Sequence, residues 1–291
     1  MSQKSSSTRR PLAISLVGPG NLGSALALAL TAADYPVKSL AVRQSRAVSK
    51  QARDLAKRIR ARVVTLGKEP LDGDIVWLTV PDDEIGEVAS CLSKSQDWKN
   101  KLVFHSSGAL TSEALAPLRK LGARAASVHP MMSFVRGAAP EMAGVSFALE
   151  GDAAAVRAAR RIVKDLGANA FLIDKRKKVL YHAFGNFASP LVIALLASME
   201  QVALAAGIRK QDIKPIMVPL LRQTLSNYLK KDAASAFSGP LVRGDVATIR
   251  RHLAELKRLP EARQVYIALA RASLKHLPVN NRKLVERELR R

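Results

Sequence analysis

A short polar series stands out in the most apolar part of the chain. His182, Asn186 and Ser189 follow one another at spacings of four and three residues, among Leu, Ala, Val and Phe. Such spacings put side chains on one face of a helix. Polar groups on an apolar helix need partners, and an imidazole can exchange a proton near neutral pH. The series predicts three catalytic residues facing a substrate, or else a polar contact with a neighbouring domain.

A glycine-rich turn near the start of the chain predicts a phosphate site. It directly follows the apolar segment Leu12–Val17 and precedes an Ala- and Leu-rich helical segment. Glycines in this context allow a tight turn, close approach of a pyrophosphate, and close packing of helix on strand. The phosphates would lie on free N–H groups at the helix N-terminus. We therefore predict a dinucleotide-binding turn formed by Gly18, Gly20, Asn21, Leu22 and Gly23.

The same region also has features of an export signal, because Lys4, Arg9 and Arg10 precede the apolar run. Pro19 and the glycines interrupt that run, and no convincing cleavage site follows. We therefore predict a cytoplasmic protein.

Basic residues after the second apolar segment indicate which dinucleotide is bound. Sites that prefer NAD usually place a carboxylate there for the ribose hydroxyls. This chain instead has Arg43, Ser45 and Arg46. Guanidinium groups and a hydroxyl suit the additional 2′-phosphate of NADP. The sequence predicts NADPH in preference to NADH.

Polar residues also follow later strand-like segments, where ligands bind in open parallel sheets. We expect Val80, Pro81, His105 and Ser106 to contact the cofactor. We expect the substrate to be contacted by Ser106, Ser107 and His129. Ser106 is thus predicted to contact both the cofactor and the substrate. Alternatives are an ordinary turn for the serines and structural hydrogen bonds for the two histidines.

The segment "GPLVRGDVATIRRHL" at 239–253 contains a loop and the start of a helix. Arg243 could bind a substrate carboxylate with two parallel hydrogen bonds. Asp245 is a further predicted substrate-binding residue, with a helix N-cap as the alternative.

Alternating apolar runs and helical stretches up to residue 174 indicate an α/β fold. We predict an N-terminal Rossmann domain over 11–174, with a doubly wound, mostly parallel sheet, and an all-α domain over 175–291. The predicted strands are Leu12–Val17, Val37–Val42, Arg62–Thr65, Ile75–Val80, Leu102–His105, Ala125–Val128, Val145–Leu149 and Ala170–Ile173. The helices predicted between them are Gly23–Ala33, Ser45–Arg60, Ser112–Leu121 and Asp152–Leu166.

Residues 177–207 form a long apolar helical stretch that Pro190 should kink or divide. A helix apolar nearly all round must be enclosed by its neighbours or by a second subunit. Although the length could span a bilayer, residues such as His182 and Glu200 argue against that interpretation. Further helices are expected at about 211–231, 245–257, 260–275 and 280–290.

The formal net charge of +23 favours small anionic ligands. A nucleic-acid partner is not expected, because Lys and Arg are spread over many segments and seldom alternate with aromatic residues. No metal-binding pattern is present in the sequence. The single cysteine, Cys91, excludes an intramolecular disulfide and is expected to be a small buried residue.

Five stretches occur together in an order that resembles a known family. They are "LTVPDDEI" (78–85), "FHSSGALTSEAL" (104–115), "SVHPMMSF" (127–134), "YHAFGNFAS" (181–189) and "SGPLVRGDVATIRRHL" (238–253). With the glycine turn, they resemble Rossmann-like proteins carrying the domain of unknown function 2520, which is similar to β-hydroxyacid dehydrogenases, pyrroline-5-carboxylate reductases and ketopantoate reductases. The resemblance implies an NADP-binding domain, a helical C-terminal domain and a homodimer formed through those helices.

The related β-hydroxyacid dehydrogenases use a lysine, with an asparagine four residues later, in the first helix after the nucleotide domain. At the similar place this chain has His182 and Asn186, so we predict His182 as the proton donor. The family commonly has Ser-Asn where this chain has Ser189-Pro190. These features predict an NADPH-dependent reductase or dehydrogenase for a small carboxylate-bearing ketone, imine or hydroxy acid. The alternative is an NADP-binding regulator or redox sensor without turnover.

Overall fold

The computed structural model describes residues 11–43, 49–135 and 141–290. The chain divides into two compact units, one ending at Asn186 and the other beginning at Phe187. The first unit thus includes most of the helix Lys178–Ala188, which the sequence assigned to the second domain. The domain boundary at 174/175 stays a prediction.

The first unit contains an eight-stranded sheet with the order β3-β2-β1-β4-β5-β6-β7-β8. All neighbouring pairs are parallel except β6 and β7, which run antiparallel. The predicted mostly parallel α/β fold is therefore confirmed, and every predicted strand is present with small changes at its ends. The strands are β1 Ile14–Val17, β2 Val37–Val42, β3 Arg62–Thr65, β4 Ile75–Leu78, β5 Leu102–His105, β6 Arg124–Pro130, β7 Ser146–Gly151 and β8 Asn169–Leu172.

Helices connect these strands and cover the sheet. The predicted helix over Ser112–Leu121 is shorter than expected, because Ser112–Leu115 forms a 3-10 turn instead. Residues 45–48 of another predicted helix lie outside the described residues, and its described part is capped by the Ser49 hydroxyl. The helices are α1 Asn21–Ala32, α2 Lys50–Ile59, α3 Ile85–Leu92, α4 Ala116–Arg119, α5 Ala153–Asp165 and α6 Lys178–Ala188.

The sheet has buried side chains on both faces, as expected for a doubly wound fold. Strands β1 and β4 are buried at every residue. Trp77 and Phe104, on neighbouring strands, pack edge to face with ring centroids 5.2 Å apart. The core therefore fixes the strand ends that precede the candidate ligand loops. Cys91 is exposed, because it lies on the outer face of α3; the expectation of burial was wrong.

The second unit is helical, in agreement with the predicted C-terminal architecture. A small core is formed on α11 to α13 by residues such as Ile249, Leu274 and Val285. The prediction that Pro190 divides the long helical stretch is confirmed, because α6 ends at Ala188 and a new helix begins at Pro190. The helices are α7 Pro190–Ala205, α8 Lys210–Lys230, α9 Ala233–Ala236, α10 Pro240–Arg243, α11 Val246–Glu255, α12 Pro260–His276 and α13 Arg282–Glu288.

The apolar helix α7 has no buried residue within the chain. The stretch Lys175–Ala205 is long and apolar enough to cross a membrane by length and composition, and none of its most apolar window is buried. The expectation that neighbouring elements of the chain enclose this helix is therefore not met. A second subunit is the remaining alternative from the sequence.

Candidate active site

The glycine turn joins β1 to α1 and is held against the neighbouring strands. The Gly18 amide donates to the Ala41 carbonyl at 3.0 Å, and the Thr79 hydroxyl donates to the Gly18 carbonyl at 2.7 Å. A side chain on Gly23 would overlap the Gly18 carbonyl and the Thr79 hydroxyl. Gly23 is therefore required for packing of the helix against the turn.

Gly20 has a different role from Gly23. A side chain there would meet no atom within 4 Å, so folding does not require this glycine. Gly20 is the N-cap residue of α1 and carries no side chain that could bond the first amides of the helix. Helix N-termini favour anions through their free N–H groups and the helix dipole. The turn thus has the form and the electrostatics of a pyrophosphate site.

A cavity of about 310 Å³ adjoins the turn. Its lining includes Gly18 and Gly20 together with Arg43, Val80 and Pro81. Five of the predicted cofactor residues therefore share one cavity at the carboxyl ends of β1, β2 and β4. Asn21 and Leu22, which follow Gly20, are the first two residues of α1.

Arg43 lies at the edge of this cavity and forms an ion pair with Glu84, with nitrogen and oxygen 2.8 Å apart. The side chain of Arg43 is more than half exposed, so an anion can reach the guanidinium. The sequence did not suggest Glu84, which comes from the 3-10 turn after β4. Ser45 and Arg46 lie outside the described residues.

The loop after β5 is held by its own polar side chains. The Nδ1 atom of His105 accepts from the Ser107 amide at 3.1 Å, and Nε2 is 3.0 Å from the Thr111 carbonyl. Because both ring nitrogens bond within the loop, a cofactor contact by His105 has to come from its backbone. His105 thus makes the structural hydrogen bonds that the sequence left as the alternative, and its contact with the cofactor stays a prediction.

The two loop serines are also hydrogen-bonded. Ser106 Oγ accepts from the Trp77 indole at 2.9 Å, which leaves its own hydroxyl proton free for a ligand. Ser107 Oγ donates to Asp82 at 2.7 Å and accepts from the amides of Ala109 and Leu110. Ser107 therefore shapes the loop, and Ser106 is the serine better able to bind a ligand by its side chain.

Two of the predicted histidines converge beyond this loop. A Cβ built on Gly108 would lie 2.7 Å from both His129 Nε2 and His182 Cδ2. The two imidazole rings are 6.0 Å apart and nearly perpendicular. His129 Nδ1 is also 2.8 Å from the hydroxyl of Tyr181. The loop, strand β6 and helix α6 therefore meet at a cluster of three ionisable side chains: His129, Tyr181 and His182.

The environment sets the protonation of the cluster. Burial lowers the pKa of His129 to about 4, with further lowering by the positive charge of Lys178. Burial raises the pKa of Tyr181 to about 12. Near neutral pH the phenol therefore keeps its proton and the His129 imidazole is neutral. Nε2 of His129 lies beside Gly108, 2.7 Å from the position that a Cβ there would take.

The remaining predicted catalytic residues differ in their local settings. The Asn186 amide donates to the His182 carbonyl one turn earlier, at 3.0 Å. Ser189 does not continue the helix face that its spacing predicted, because the helix breaks before Pro190 and Ser189 becomes the N-cap residue of α7. Ser189 belongs to the second unit, as do Arg243 and Asp245.

In the second unit, Arg243 is the last residue of α10 and is exposed. Asp245 caps α11 by accepting from the Thr248 amide at 3.0 Å. This hydrogen bond lowers the pKa of Asp245. The structure therefore shows the N-cap alternative for Asp245, and its contact with a substrate stays a prediction.

Two residues of the cluster region were missed by sequence reasoning: Lys178 and Tyr181. Lys178 precedes His182 by four residues, so extending the polar series one helical turn backwards would have found it. Nothing in the spacing distinguishes Tyr181 from an ordinary apolar contact. Within the described part of the chain, no group of three or more His, Cys, Asp or Glu side chains could hold a metal ion.

Two family models match successive parts of the chain. A Rossmann-like domain matches residues 1–130, and the domain of unknown function DUF2520 matches residues 145–273. Both matches agree with the resemblance carried by the five sequence stretches. Among curated proteins, no sequence matches this chain.

Solved structures share the fold over most of their length. A proposed NADP oxidoreductase from Bacteroides fragilis aligns with a TM-score of 0.75 and 20% identity, covering 90% of this chain and 97% of that one. A protein from Thermotoga maritima gives 0.68 and 25%, covering 96% and 100%. An imine reductase from a Pseudomonas species gives 0.62 and 20%, covering 95% and 99%. These similarities support the fold described above.

Proposed function

The chain combines a Rossmann-like domain with the domain of unknown function DUF2520, and from this premise we propose an NADPH-dependent oxidoreductase. Its reaction would transfer a hydride to or from a small carboxylate-bearing ketone, imine or hydroxy acid. One observation carries the proposal: the glycine turn follows the carboxyl end of β1 and His129 lies at the carboxyl end of β6. These ends share one edge of the sheet because β1, β4, β5 and β6 run parallel. Ligands of open α/β sheets bind at that edge.

The cofactor would supply the hydride when bound, and the protein has to bind it and handle a proton. Gly18 and Gly20 would hold the pyrophosphate at the N-terminus of α1. Arg43 would bind the 2′-phosphate, for which a guanidinium is well suited. Two structures of similar fold are described as a proposed NADP oxidoreductase and an imine reductase, which supports the choice of cofactor and reaction.

At the substrate end, a hydride acceptor develops negative charge or basicity and needs a proton source nearby. His182 is the proposed proton donor, and the Nε2 proton of His129 would bind the same substrate atom. A neutral imidazole can polarise a carbonyl in this way. Asn186, Ser106 and Arg243 are proposed to hold the substrate, the last through its carboxylate.

We also propose a cytoplasmic homodimer formed through the C-terminal helices. Helix α7 has no buried residue, and it exposes large apolar side chains including Leu191, Val192 and Ile193. An apolar groove of about 980 Å³ is formed within the same unit by α7 itself and by α12, with lining residues such as Met199 and Leu269. Apolar surface of this extent is a mark of protein–protein interfaces, and one copy can offer both a helix and a groove to another.

Cofactor choice is tested by titrating NADPH and NADH against the purified protein, followed by nucleotide fluorescence. We expect NADPH to bind more tightly and Arg43→Ala to weaken it about tenfold to a hundredfold, since hydrogen bonds to charged groups contribute about 1.5–3 kcal/mol. The affinity of Arg43→Ala for NADH should stay within about twofold of the wild-type affinity, because NADH lacks the 2′-phosphate. Arg58→Ala, an exposed arginine on α2, is the matched control.

Turnover is tested with a panel of oxo acids, imines and hydroxy acids by the change in NADPH absorbance. Consumption by at least one member that is lost in His182→Ala supports the reductase. Tight NADPH binding without turnover on the whole panel would favour the alternative, a regulator or redox sensor that holds NADP. Equal affinity for NADPH and NADH would overturn the cofactor assignment.

A further inference from the structure

A lysine is buried beneath the histidine cluster. Lys178 begins α6, and its side chain is 1% exposed. Its ammonium group donates to the Ser107 carbonyl at 3.0 Å and to the Ser127 hydroxyl. It also lies 3.7 Å from a carboxylate oxygen of Glu150. At this depth Lys178 does not touch a substrate, so any influence on the reaction has to pass through its neighbours.

The carboxylate partner is buried as well and is held from a second direction. Glu150, on β7, accepts from the Ser112 amide at 2.7 Å and from the Ser112 hydroxyl at 2.8 Å. Buried ion pairs are weak stabilisers, because desolvation offsets their attraction, and apolar replacements of similar size are often neutral or stabilising. Packing alone therefore gives little reason for this pair.

The elements that Lys178 joins are those that form the cluster. Ser107 is next to Gly108 in the loop, and Ser127 is two residues before His129 on β6. Lys178 is itself one helical turn before His182 on α6. A displacement of about 1 Å in a catalytic group can reduce a rate about a hundredfold. The hydrogen bonds of one ammonium thus fix the loop and the strand relative to the helix.

The charge of Lys178 acts on the same histidines. It lowers the pKa of both His105 and His129, in addition to the larger effect of burial. Burial lowers the pKa of Lys178 itself to about 8, while Glu150 and Asp82 oppose that change. The ammonium form therefore predominates near neutral pH, beside two imidazoles that stay neutral.

We propose that Lys178 is a positioning residue, which holds the loop and α6 in register and keeps His129 as a neutral hydrogen-bond donor toward the substrate. The proposal rests on the proposed reductase function for its catalytic meaning. Its physical content, the state and place of His129, can be measured without a substrate. Tyr181 complements it, because its hydroxyl lies 2.8 Å from Nδ1 of His129, and donation by the phenol would leave the ring proton on Nε2.

The test compares Lys178→Met and Lys178→Arg with Lys177→Met, an exposed neighbour on the preceding turn. The first readout is nitrogen-15 NMR of His129, which gives both the pH at which the imidazole is protonated and its tautomer. The signals of His129 are assigned by their absence in His129→Asn. We expect the wild type to hold the Nε2-protonated tautomer near neutral pH. In Lys178→Met, protonation of His129 should move to higher pH, because a neighbouring positive charge has been removed.

The titratable groups that face this region from the surrounding elements are Asp82, His105, Glu150, Tyr181 and His182. The titration is therefore repeated in Glu150→Gln. Removing that carboxylate leaves the lysine charge less compensated, and protonation of His129 should move to lower pH. Opposite shifts in the two variants support the proposal. Shifts of one sign in both variants, or no shift in either, would overturn it.

The second readout is turnover on any substrate found above. We expect kcat to fall at least about tenfold in Lys178→Met, with the Kd for NADPH within about twofold, since the cofactor turn lies at other strand ends. Lys178→Arg should recover part of kcat, because it keeps the charge. Unchanged kcat in a folded Lys178→Met protein would contradict the proposal.

If no substrate is turned over, the proposed function fails while the NMR comparison still decides the position and charge of His129. If Lys178→Met does not fold, Glu150→Gln and Lys178→Arg carry the same two measurements. Lys177→Met should behave as wild type in both readouts.

Discussion

The two units of this chain meet the requirement to bury apolar surface in different ways. In the first unit, the sheet has buried side chains on both faces, and β1 and β4 are buried throughout. In the second unit, a small core lies on α11 to α13, and α7 has no buried residue. One unit completes its core by itself, whereas the other leaves its most apolar helix uncovered.

This difference indicates a separate role for each unit. A complete core gives fixed strand ends, which is what a site needs to hold reacting groups in place. An uncovered apolar helix gives a surface for association. We therefore expect substitutions in the first unit to alter the free energy of unfolding at every protein concentration. Substitutions on α7 should instead alter the affinity of the dimer.

The largest expected effect is a core truncation in the first unit. Phe104→Ala removes a fully buried ring packed against Trp77 and should lower the free energy of unfolding by about 3–5 kcal/mol. Urea unfolding at two protein concentrations measures it. The loss should be the same at both concentrations, and a loss that disappears at high concentration would contradict a self-contained core.

The second-largest expected effect is a loss of stability at low pH that comes from two buried histidines of the first unit. Burial lowers the pKa of His105 to about 3 and that of His129 to about 4. Because the unfolded chain binds these protons near pH 6.5 and the folded chain does not, stability is fully present above about 6.5 and is lost as the pH falls toward the folded values.

At pH 5 the loss should be about 2 kcal/mol for each histidine, from 1.36 kcal/mol per pH unit. Urea unfolding between pH 7 and 5 measures it. His129→Asn should show a smaller pH dependence than wild type. His276→Gln, which changes an exposed histidine of the second unit, should leave the dependence unaltered.

A charge on α7 should act on assembly alone. Ile193 is exposed in the single chain, so Ile193→Arg should fold. If a second copy covers α7, the buried charge should weaken the dimer by at least about tenfold in Kd, because an unpaired charge costs more to bury than the about 1–3 kcal/mol of an unpaired neutral polar group. Analytical ultracentrifugation measures this, with Gln51→Arg on α2 as control. A wild-type protein that is monomeric at all concentrations would contradict the comparison.

The smallest effect concerns the Arg43–Glu84 pair at the cofactor cavity. Glu84 occupies the guanidinium that the 2′-phosphate would bind, so Glu84→Gln should tighten NADPH binding about two- to fivefold, as expected for an exposed pair of about 0.5–1 kcal/mol. Glu87→Gln, on the exposed side of α3, is the control. Weaker NADPH binding in Glu84→Gln would show that Glu84 supports Arg43.

The sequence was informative where structure follows from local patterns. Short apolar runs predicted all eight strands, most clearly β1 and β4, because a strand buried on both faces needs continuous apolar residues. The glycine turn was found because its context of strand and helix is local. The break at Pro190 follows from the missing amide and ring clash of proline. The burial of Cys91 was predicted wrongly, because a residue type sets only an average tendency to be buried.

What only the tertiary structure decided is the meeting of distant residues. Gly108, His129 and His182 come from three elements and converge because β5 and β6 are neighbours and α6 packs beside them. The burial of Lys178, the pairing of Arg43 with Glu84 and the neutral state of His129 all depend on such contacts. Local periodicity sets which face of an element a side chain occupies, whereas desolvation and charge at a site are set by what packs against that face.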